Sequence, residues 1–303
     1  MPTYQRWDRL GRSLRCALDQ YGVDVEVLIV SDGERRMPDD MLAPSEERVR
    51  VIYPPEAKGV AHARNLGIEA AAAEWVAFLD DDDLWAPDKL QRELETAREK
   101  GAGWVFASAL AVDDSMRPLE LFRAPPSEGL LPALFEFQRI PAGCSNVMAR
   151  TELLRSVGGF DESLHQLADW DLWIRLGEAA PGAPVHEVMV GYVQHPGSML
   201  LTHEEWVFKE FNRFRDKHRE LGRVAAGQMI NAEGYAFWIV KRLEEAGLRW
   251  RAIKVSLYAA FRYLDLGLLV NAARLILHMP APEHLPEPPP SESPAWLLER
   301  AAA

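Results

Sequence analysis

Four consecutive carboxylates, Asp80-Asp81-Asp82-Asp83, follow the apolar run Trp75-Val76-Ala77-Phe78-Leu79 and precede Leu84-Trp85-Ala86-Pro87. A buried strand that ends in carboxylates delivers them to the crevice where open α/β sheets bind ligands. Adjacent carboxylates repel one another unless a cation sits among them, and an oxygen-only set suits Mg2+ or Mn2+ held partly by substrate phosphates. The same residues also fit a solvated turn, with Asp83 or Asp88 favouring the N-terminus of the next helix. On these residues alone the two readings stand level. A second acidic group, Asp169-Trp170-Asp171, opens a helical run through Leu176, where an aspartate can cap the helix.

The elements that must position these groups alternate between short apolar strands and helices, the pattern of an α/β sheet. Helical spacing runs from Arg6 to Gln20, from Gly59 to Ala73, and from Pro87 to Lys100 with proline in the first turn. Strands are expected at Val25 to Val30, Val49 to Tyr53, Glu74 to Leu79, Gly103 to Val112, Ser145 to Ala149 and Val185 to Val193. Pro118 to Pro141 reads as loop with a short helix near Leu130 to Phe137, and Thr151 to Val157 as a helix. After His203 only helical periodicity remains, in four stretches ending at His278. The Pro- and Glu-rich tail, 280–303, reads as flexible.

Composition narrows the function. Against 34 Lys and Arg stand 46 Asp and Glu, a formal net charge of −12. Such a chain lacks the positive field that holds a nucleic acid backbone. Two cysteines, Cys16 and Cys144, make no disulfide framework. Residues 1–20 carry no apolar signal core, and Arg251, Lys254, Arg262, Asp265 and Arg274 interrupt the most apolar stretch, Trp250 to Met279. A cytoplasmic protein is expected, with a peripheral contact at the inner face of the cell membrane left open for those basic, apolar helices.

Several segments resemble family 2 glycosyltransferases of the GT-A fold. Met1-Pro2-Thr3-Tyr4-Gln5-Arg6 is similar to the Pro-Thr-Tyr-Asn segment after that family's first strand, and Val30-Ser31-Asp32-Gly33 to its Asp-Asp-Gly-Ser turn. Gly59 to Gly67 resembles its Gly-x-x-x-Ala-Arg-Asn-x-Gly helix start, and Phe78 to Asp83 with Pro87 its Asp-x-Asp turn. Gly158 to Leu164 and Asp169 to Leu176 resemble its Gly-Gly-Phe-Asp-Glu and Glu-Asp-x-Asp-Leu-Trp segments. The segments keep the family's order across roughly residues 1–200.

The resemblance implies a GT-A α/β fold with a mainly parallel sheet, helices on both faces and an α-helical C-terminal extension. Residues 1–115 would form its nucleotide-sugar part, 116–200 its acceptor and catalytic part, and 201–279 the extension. It also implies roles. Tyr4 would stack on the nucleotide base and Asp32 hydrogen-bond it. Arg64 would meet a phosphate or base carbonyl, with Asp80 and Asp81 also at the donor. Asp80 and Asp82 would hold Mn2+ or Mg2+, joined by His195, and Asp169 would be the catalytic base. Ala168 stands where the family usually has glutamate. Residue 1 falls where the family's first buried strand ends, so that strand is expected to be missing from 1–303, with the true start upstream.

The activity so implied is metal-dependent transfer of a sugar, with inversion, from a nucleoside-diphosphate sugar (UDP-sugar first) to a hydroxyl of a carbohydrate or lipid-linked acceptor. Polysaccharide biosynthesis at the cell envelope is the expected setting, with a homodimer through the C-terminal helices left open. The competing readings are a sugar-phosphate nucleotidyltransferase, which would release pyrophosphate, and an inactive binding or scaffold protein. Trp170 and Trp173 suit acceptor stacking or core packing, and His62 a structural place.

Overall fold

The computed structural model describes residues 1–33, 35–38, 41, 46–195, 197, 204–220, 231–279 and 289–302. It divides the chain into two compact units, Met1–Leu131 with Arg139–Gln194 and Glu287–Ala303, and Pro132–Gln138 with His195–Pro286.

The first unit carries two sheets. In the first, β1 (Pro2–Thr3), β2 (Val27–Ser31) and β3 (Val49–Ile52) run parallel in that order. In the second, β4 (Trp75–Ala77), β5 (Leu84–Trp85), β6 (Trp104–Val112), β8 (Val147–Arg150) and β9 (Gly182–Val193) lie in the order β4-β8-β6-β9-β5, with β7 (Pro118–Phe122) also on β6. Every residue of β6 is buried, as expected of a strand covered on both faces. Its pairing with β9 is parallel, while β4–β8, β6–β8, β6–β7 and β5–β9 are antiparallel. The parallel character expected from the alternating pattern thus belongs to the first sheet and to β6–β9. The second sheet is mixed, because antiparallel β8 separates β4 from β6. Strand β7 lies in the stretch expected to be loop; Pro118 opens it, a place that needs no ladder N–H.

The helices of this unit are α1 (Trp7–Leu18), α2 (Val60–Ala70), α3 (Lys89–Lys100), α5 (Thr151–Ser156) and α6 (Ala168–Ala179). Helix α1 buries Leu10, Leu14 and Ala17, one helical stripe, against a core that includes Val27, Ile29, Leu79, Trp85, Leu110 and Val190. Helix α3 ends at Gly101, whose φ of 61° is the left-handed conformation that closes a helix. Cys16 and Cys144 are both buried and free.

Strands β2 and β4 belong to different sheets. Along Val27–Ile29, β2 pairs with β3 and also accepts from Met1 N at Leu28 O, 2.8 Å, while β4 pairs with β8. Between these edges lies a cavity of about 240 Å3, lined in part by Val25, Val27, Val30, Trp75, Ala77 and Met148. Met1, ahead of Pro2-Thr3, also lies along β2, its N donating to Leu28 O at 2.8 Å and its O accepting from Val30 N at 2.9 Å.

Part of the tail expected to be flexible is folded. Residues 280–288 lie outside the described residues, but Ala295–Ala302 form a docked helix, α11. Leu297 is fully buried in the core of the first unit, and Arg300 Nη1 donates to Asp19 Oδ2 at 2.6 Å. The apolar pair Trp296-Leu297 outweighs the polar composition around it.

The second unit is helical, with α7 (Glu204–Glu220), α8 (Ala232–Glu245), α9 (Arg249–Tyr263) and α10 (Leu266–Ile276); α4 (Leu130–Glu136) ends in it. Asn231 caps α8 and Asp265 caps α10, their Oδ1 atoms accepting from Gly234 N and Leu268 N at 2.7 Å each. Phe211, Phe214 and Tyr235 supply part of its core.

Candidate active site

The acidic turn leaves the end of β4, where Phe78 and Leu79 are buried and Phe78 N donates to Val147 O at 3.1 Å. Its four carboxylates alternate. Asp81 and Asp83 are fully buried, whereas the side chains of Asp80 and Asp82 keep 28% and 14% exposure. Spacing alone could not say which pair faces out; Asp81 and Asp82 lie in a turn, and the partners met by each side chain decide it.

The buried pair fastens the turn. Asp81 Oδ2 accepts from Thr3 Oγ1 at 2.6 Å and from Arg6 Nε at 3.2 Å. Burial pushes the Asp81 carboxyl up to about 6, with the Arg6 guanidinium pulling the other way. Asp83 Oδ1 accepts from Val193 N at 2.9 Å, and burial raises its carboxyl well above the usual range. Asp81, expected at the nucleotide, therefore has its carboxylate turned into the protein, on Thr3 and Arg6. Asp83 neither caps α3 nor reaches the surface.

Each outward carboxylate meets an arginine. Arg64, on α2 and 9% exposed, donates from Nη2 to Asp80 Oδ1 at 2.6 Å and lies over the Phe160 ring at 5.4 Å. Burial acts against its charge, but the Asp80 carboxylate outweighs this and raises its pKa. Arg6 Nη1 donates to Asp82 Oδ2 at 2.7 Å.

The loop 141–146 forms the floor, and sequence reasoning passed over it. Ala142 and Gly143 both have φ of 52°, left-handed geometry that is costly for alanine. Asn146 locks the loop to β6, its Oδ1 accepting from Ala107 N at 2.9 Å and its Nδ2 donating to Pro141 O at 2.9 Å. Asp80 N donates to Ser145 Oγ at 3.0 Å. Cys144 is buried, which raises its thiol pKa, and the charges of Arg64, Asp169 and Asp80 all act on it. The signal was the run of small polar residues Gly143-Cys144-Ser145-Asn146 directly before a strand.

Asp169 lies in the first turn of α6, where the N-cap residue is Leu167, so it is not the cap. Its Oδ1 accepts from Trp170 N at 2.6 Å, and a Cβ built on Gly143 would stand 3.0 Å from its Oδ2. The loop can come this close because residue 143 is glycine. Asp171 is buried and paired with Arg175 at 2.6 Å. Trp170 and Trp173 are fully buried, and Trp173 stacks parallel to Trp104, so both belong to the core.

Asp32, at the end of β2, accepts from Lys58 N at 3.0 Å and Gly59 N at 2.7 Å, tying that strand to the start of α2. Asn65 was also passed over. Its side chain accepts from Phe160 N at 2.8 Å and donates to Phe160 O and Glu162 Oε1 at 2.9 Å each, fixing the segment that backs Arg64. Tyr4 is 64% exposed beside the turn-forming Gln5, whose φ is 59°. His62 pairs with Glu162 at 3.1 Å. His195 belongs to the second unit, where its Nδ1 accepts from Gly197 N at 3.1 Å. Asp32, Arg64, Asp80, Asp82 and Asp169 thus all lie in the first unit, and His195 in the second.

Among the described residues no three His, Cys, Asp or Glu side chains converge into a metal cage. The outward oxygens of Asp80 and Asp82 nevertheless fit a hard divalent ion, which commonly takes one or two carboxylates and completes its shell with phosphate and water.

Residues 1–155 match Glycosyl transferase family 2, and residues 130–232 match Glycosyltransferase like family 2. The chain belongs to glycosyl transferase family 2. It is 34% identical over 155 residues to a putative teichuronic acid biosynthesis glycosyltransferase, TuaG, of Bacillus subtilis, covering 50% of this chain and 60% of the relative. It is 32% identical over 211 residues to the succinoglycan biosynthesis protein ExoO of Rhizobium meliloti, covering 63% and 58%. The matches thus span about three-fifths of those relatives' lengths. Among solved structures, S. aureus TarS 1-349 in complex with UDP aligns with a TM-score of 0.54 at 15% identity, over 96% of this chain and 98% of that one. A mannosyltransferase from Pyrobaculum calidifontis in complex with GDP-Man and Mn2+ aligns at 0.52 and 16% identity, over 91% and 86%. These likenesses establish the GT-A fold.

Proposed function

We propose that this family 2 member transfers a sugar from a nucleoside-diphosphate sugar to an acceptor hydroxyl, with inversion, using a divalent cation. The observation that carries the reading is the joint placement of Asp80 with Arg64, and of Asp169 beside Gly143, around the one loop 141–146. Asp169 takes the acceptor proton as the oxygen attacks the anomeric carbon opposite the diphosphate. Arg64, backed by Phe160, has an Nε without a partner and offers charge to the diphosphate. Asp80 and Asp82 would hold Mn2+ or Mg2+, which when bound neutralises charge on the departing nucleoside diphosphate. Tyr4, exposed, serves as the stacking face for the base. Asp32 positions the start of α2 and uses its remaining lone pairs toward the base.

The donor is proposed to be a UDP-sugar, since a TarS structure is in complex with UDP-GlcNAc; GDP is the first alternative, since the mannosyltransferase holds GDP-Man. The relatives' names, teichuronic acid and succinoglycan biosynthesis, support a carbohydrate or lipid-linked acceptor in polysaccharide assembly. Calorimetric titration of nucleoside diphosphates with Mn2+ and with chelator tests the donor site. In a transfer assay Asp169→Asn should abolish turnover and keep donor binding. Normal turnover would remove Asp169 from the mechanism, and pyrophosphate release would favour a nucleotidyltransferase.

We also infer that the α9–α10 pair meets an anionic membrane surface. It exposes Trp250, Phe261, Leu264, Leu266, Val270 and Leu277. Between residues 249 and 279 five basic residues stand against one acidic residue, in a chain of net charge −12. No described helix is long and apolar enough to cross a membrane, so the contact would be interfacial. Flotation with phosphatidylglycerol vesicles, and its loss in Phe261→Asp with Leu266→Asp, tests this. A dimer that the same substitutions split would reassign the face.

A further inference from the structure

The acidic turn already holds a cation of the chain's own. Arg6 follows β1, and its guanidinium spans two carboxylates, with Nη2 2.5 Å from Asp81 Oδ1 and Nη1 2.7 Å from Asp82 Oδ2. The two partners differ. Asp81 is fully buried and pinned by Thr3, whereas Asp82 keeps 14% exposure and is one of the two outward carboxylates. The Arg6 side chain itself is 39% exposed. A guanidinium anchored through Nε and Nη2 on a fixed carboxylate can release the outer one by giving up the Nη1 bond alone.

We propose that Arg6 is an internal counter-cation that makes divalent-ion binding at Asp82 conditional on the nucleoside diphosphate; this rests on the donor reading above. With Arg6 on Asp82 and Arg64 on Asp80, both outward carboxylates are neutralised. A dication arriving alone must displace Nη1 and then sit beside a guanidinium. No third carboxylate, histidine or thiolate among the described residues repays that cost. A nucleoside diphosphate changes both sides. Its anionic oxygens accept from the freed Nη1 and Arg64, and they supply the ion with ligands that the protein lacks. Ion and diphosphate then bind with positive coupling, and the coupling is reciprocal.

The test is titration of the whole chain with Mn2+ alone, UDP or GDP alone, and both together. It is read by calorimetry and by the electron-paramagnetic signal of free Mn2+, for the wild type, Arg6→Met and Arg6→Lys. In the wild type Mn2+ alone should bind weakly, and about tenfold or more tighter once the diphosphate is present. Arg6→Met should shift the two affinities in opposite directions: Mn2+ alone tighter by about fivefold or more, the diphosphate with Mn2+ weaker, and the coupling near one. Arg6→Lys retains the charge and should keep Mn2+ alone weak. A purely structural Arg6 would weaken every ligand in both variants, with a lowered melting temperature, and that result overturns the proposal. So does Arg6→Met with unchanged affinity for Mn2+ alone. A wild type that binds neither diphosphate with Mn2+ refutes the donor reading instead; the Mn2+-alone comparison then still decides whether Arg6 guards the turn.

Discussion

Asp32 lets a structural role and a binding role be separated by magnitude. Its carboxylate is 6% exposed and accepts two backbone N–H groups, from Lys58 at 3.0 Å and Gly59 at 2.7 Å, at the mouth of α2. Hydrogen bonds to a charged group contribute about 1.5–3 kcal/mol each. These two share one charge, and both donors lie where water can replace the acceptor. Asp32→Ala should therefore cost about 2–3 kcal/mol rather than the full sum. For a unit of this size that is a fall of about 5–10 °C in melting temperature. Asp32→Asn keeps one acceptor oxygen but turns an amide N–H2 toward the other donor, so it should cost nearly as much. Differential scanning calorimetry supplies the stability, and titration with the preferred nucleoside diphosphate at a temperature well below the transition supplies the affinity. Both variants should be destabilised and should also bind the nucleotide more weakly, because α2 carries Arg64. An unchanged transition in Asp32→Ala would refute the tie between β2 and α2. A destabilised variant with undiminished affinity would refute the link from that tie to the site.

Gly159 has a φ of 64°, and a Cβ there would stand 2.5 Å from Asn65 Oδ1; Gly159→Ala should cost about 2–4 kcal/mol from left-handed strain and displaced hydrogen bonds, seen as a lower urea midpoint together with weaker donor binding. Leu297→Ala empties a fully buried position and should cost about 2–3 kcal/mol; faster amide exchange across 295–302 would show α11 released, and unchanged protection would refute its docking. Burial raises Glu93 to about 7 against the pull of its ion-pair partner Lys89, both fully buried. The folded state then holds a proton that the unfolded chain has lost, so this group's stabilisation, complete below about pH 4.5, should fade as pH rises to about 7. Glu93→Gln should flatten that slope in urea midpoints taken at pH 5 and 7.5, and an unaltered slope would count against the assignment.

Much of the site was legible because its signals are local. An apolar strand running into aspartates, a Gly-to-Arg helix start and an acidic helix opening are each written within a few residues, and Asp32, Arg64, Asp80, Asp82 and Asp169 lie in one unit. The partners were not legible. Thr3 and Arg6 reach Asp81 across more than seventy residues, and Asn65 reaches Phe160 across ninety-five. Strand β7 and helix α11 were missed because Pro118 and the Pro- and Glu-rich tail dominate local composition.

By itself, the sequence determined the alternation of strand and helix, the helical character of the C-terminal part, the family, and the residue types at the acidic turn. These depend on periodicity and on short contiguous segments, which survive without knowledge of neighbours. Tertiary structure alone decided that antiparallel β8 would split β4 from β6, and that Trp296 and Leu297 would pin the tail. It also decided which two of four identical carboxylates face outward and that each meets an arginine. Pairing, burial and charge neutralisation are properties of groups brought together from distant parts of the chain, so no local pattern can encode them.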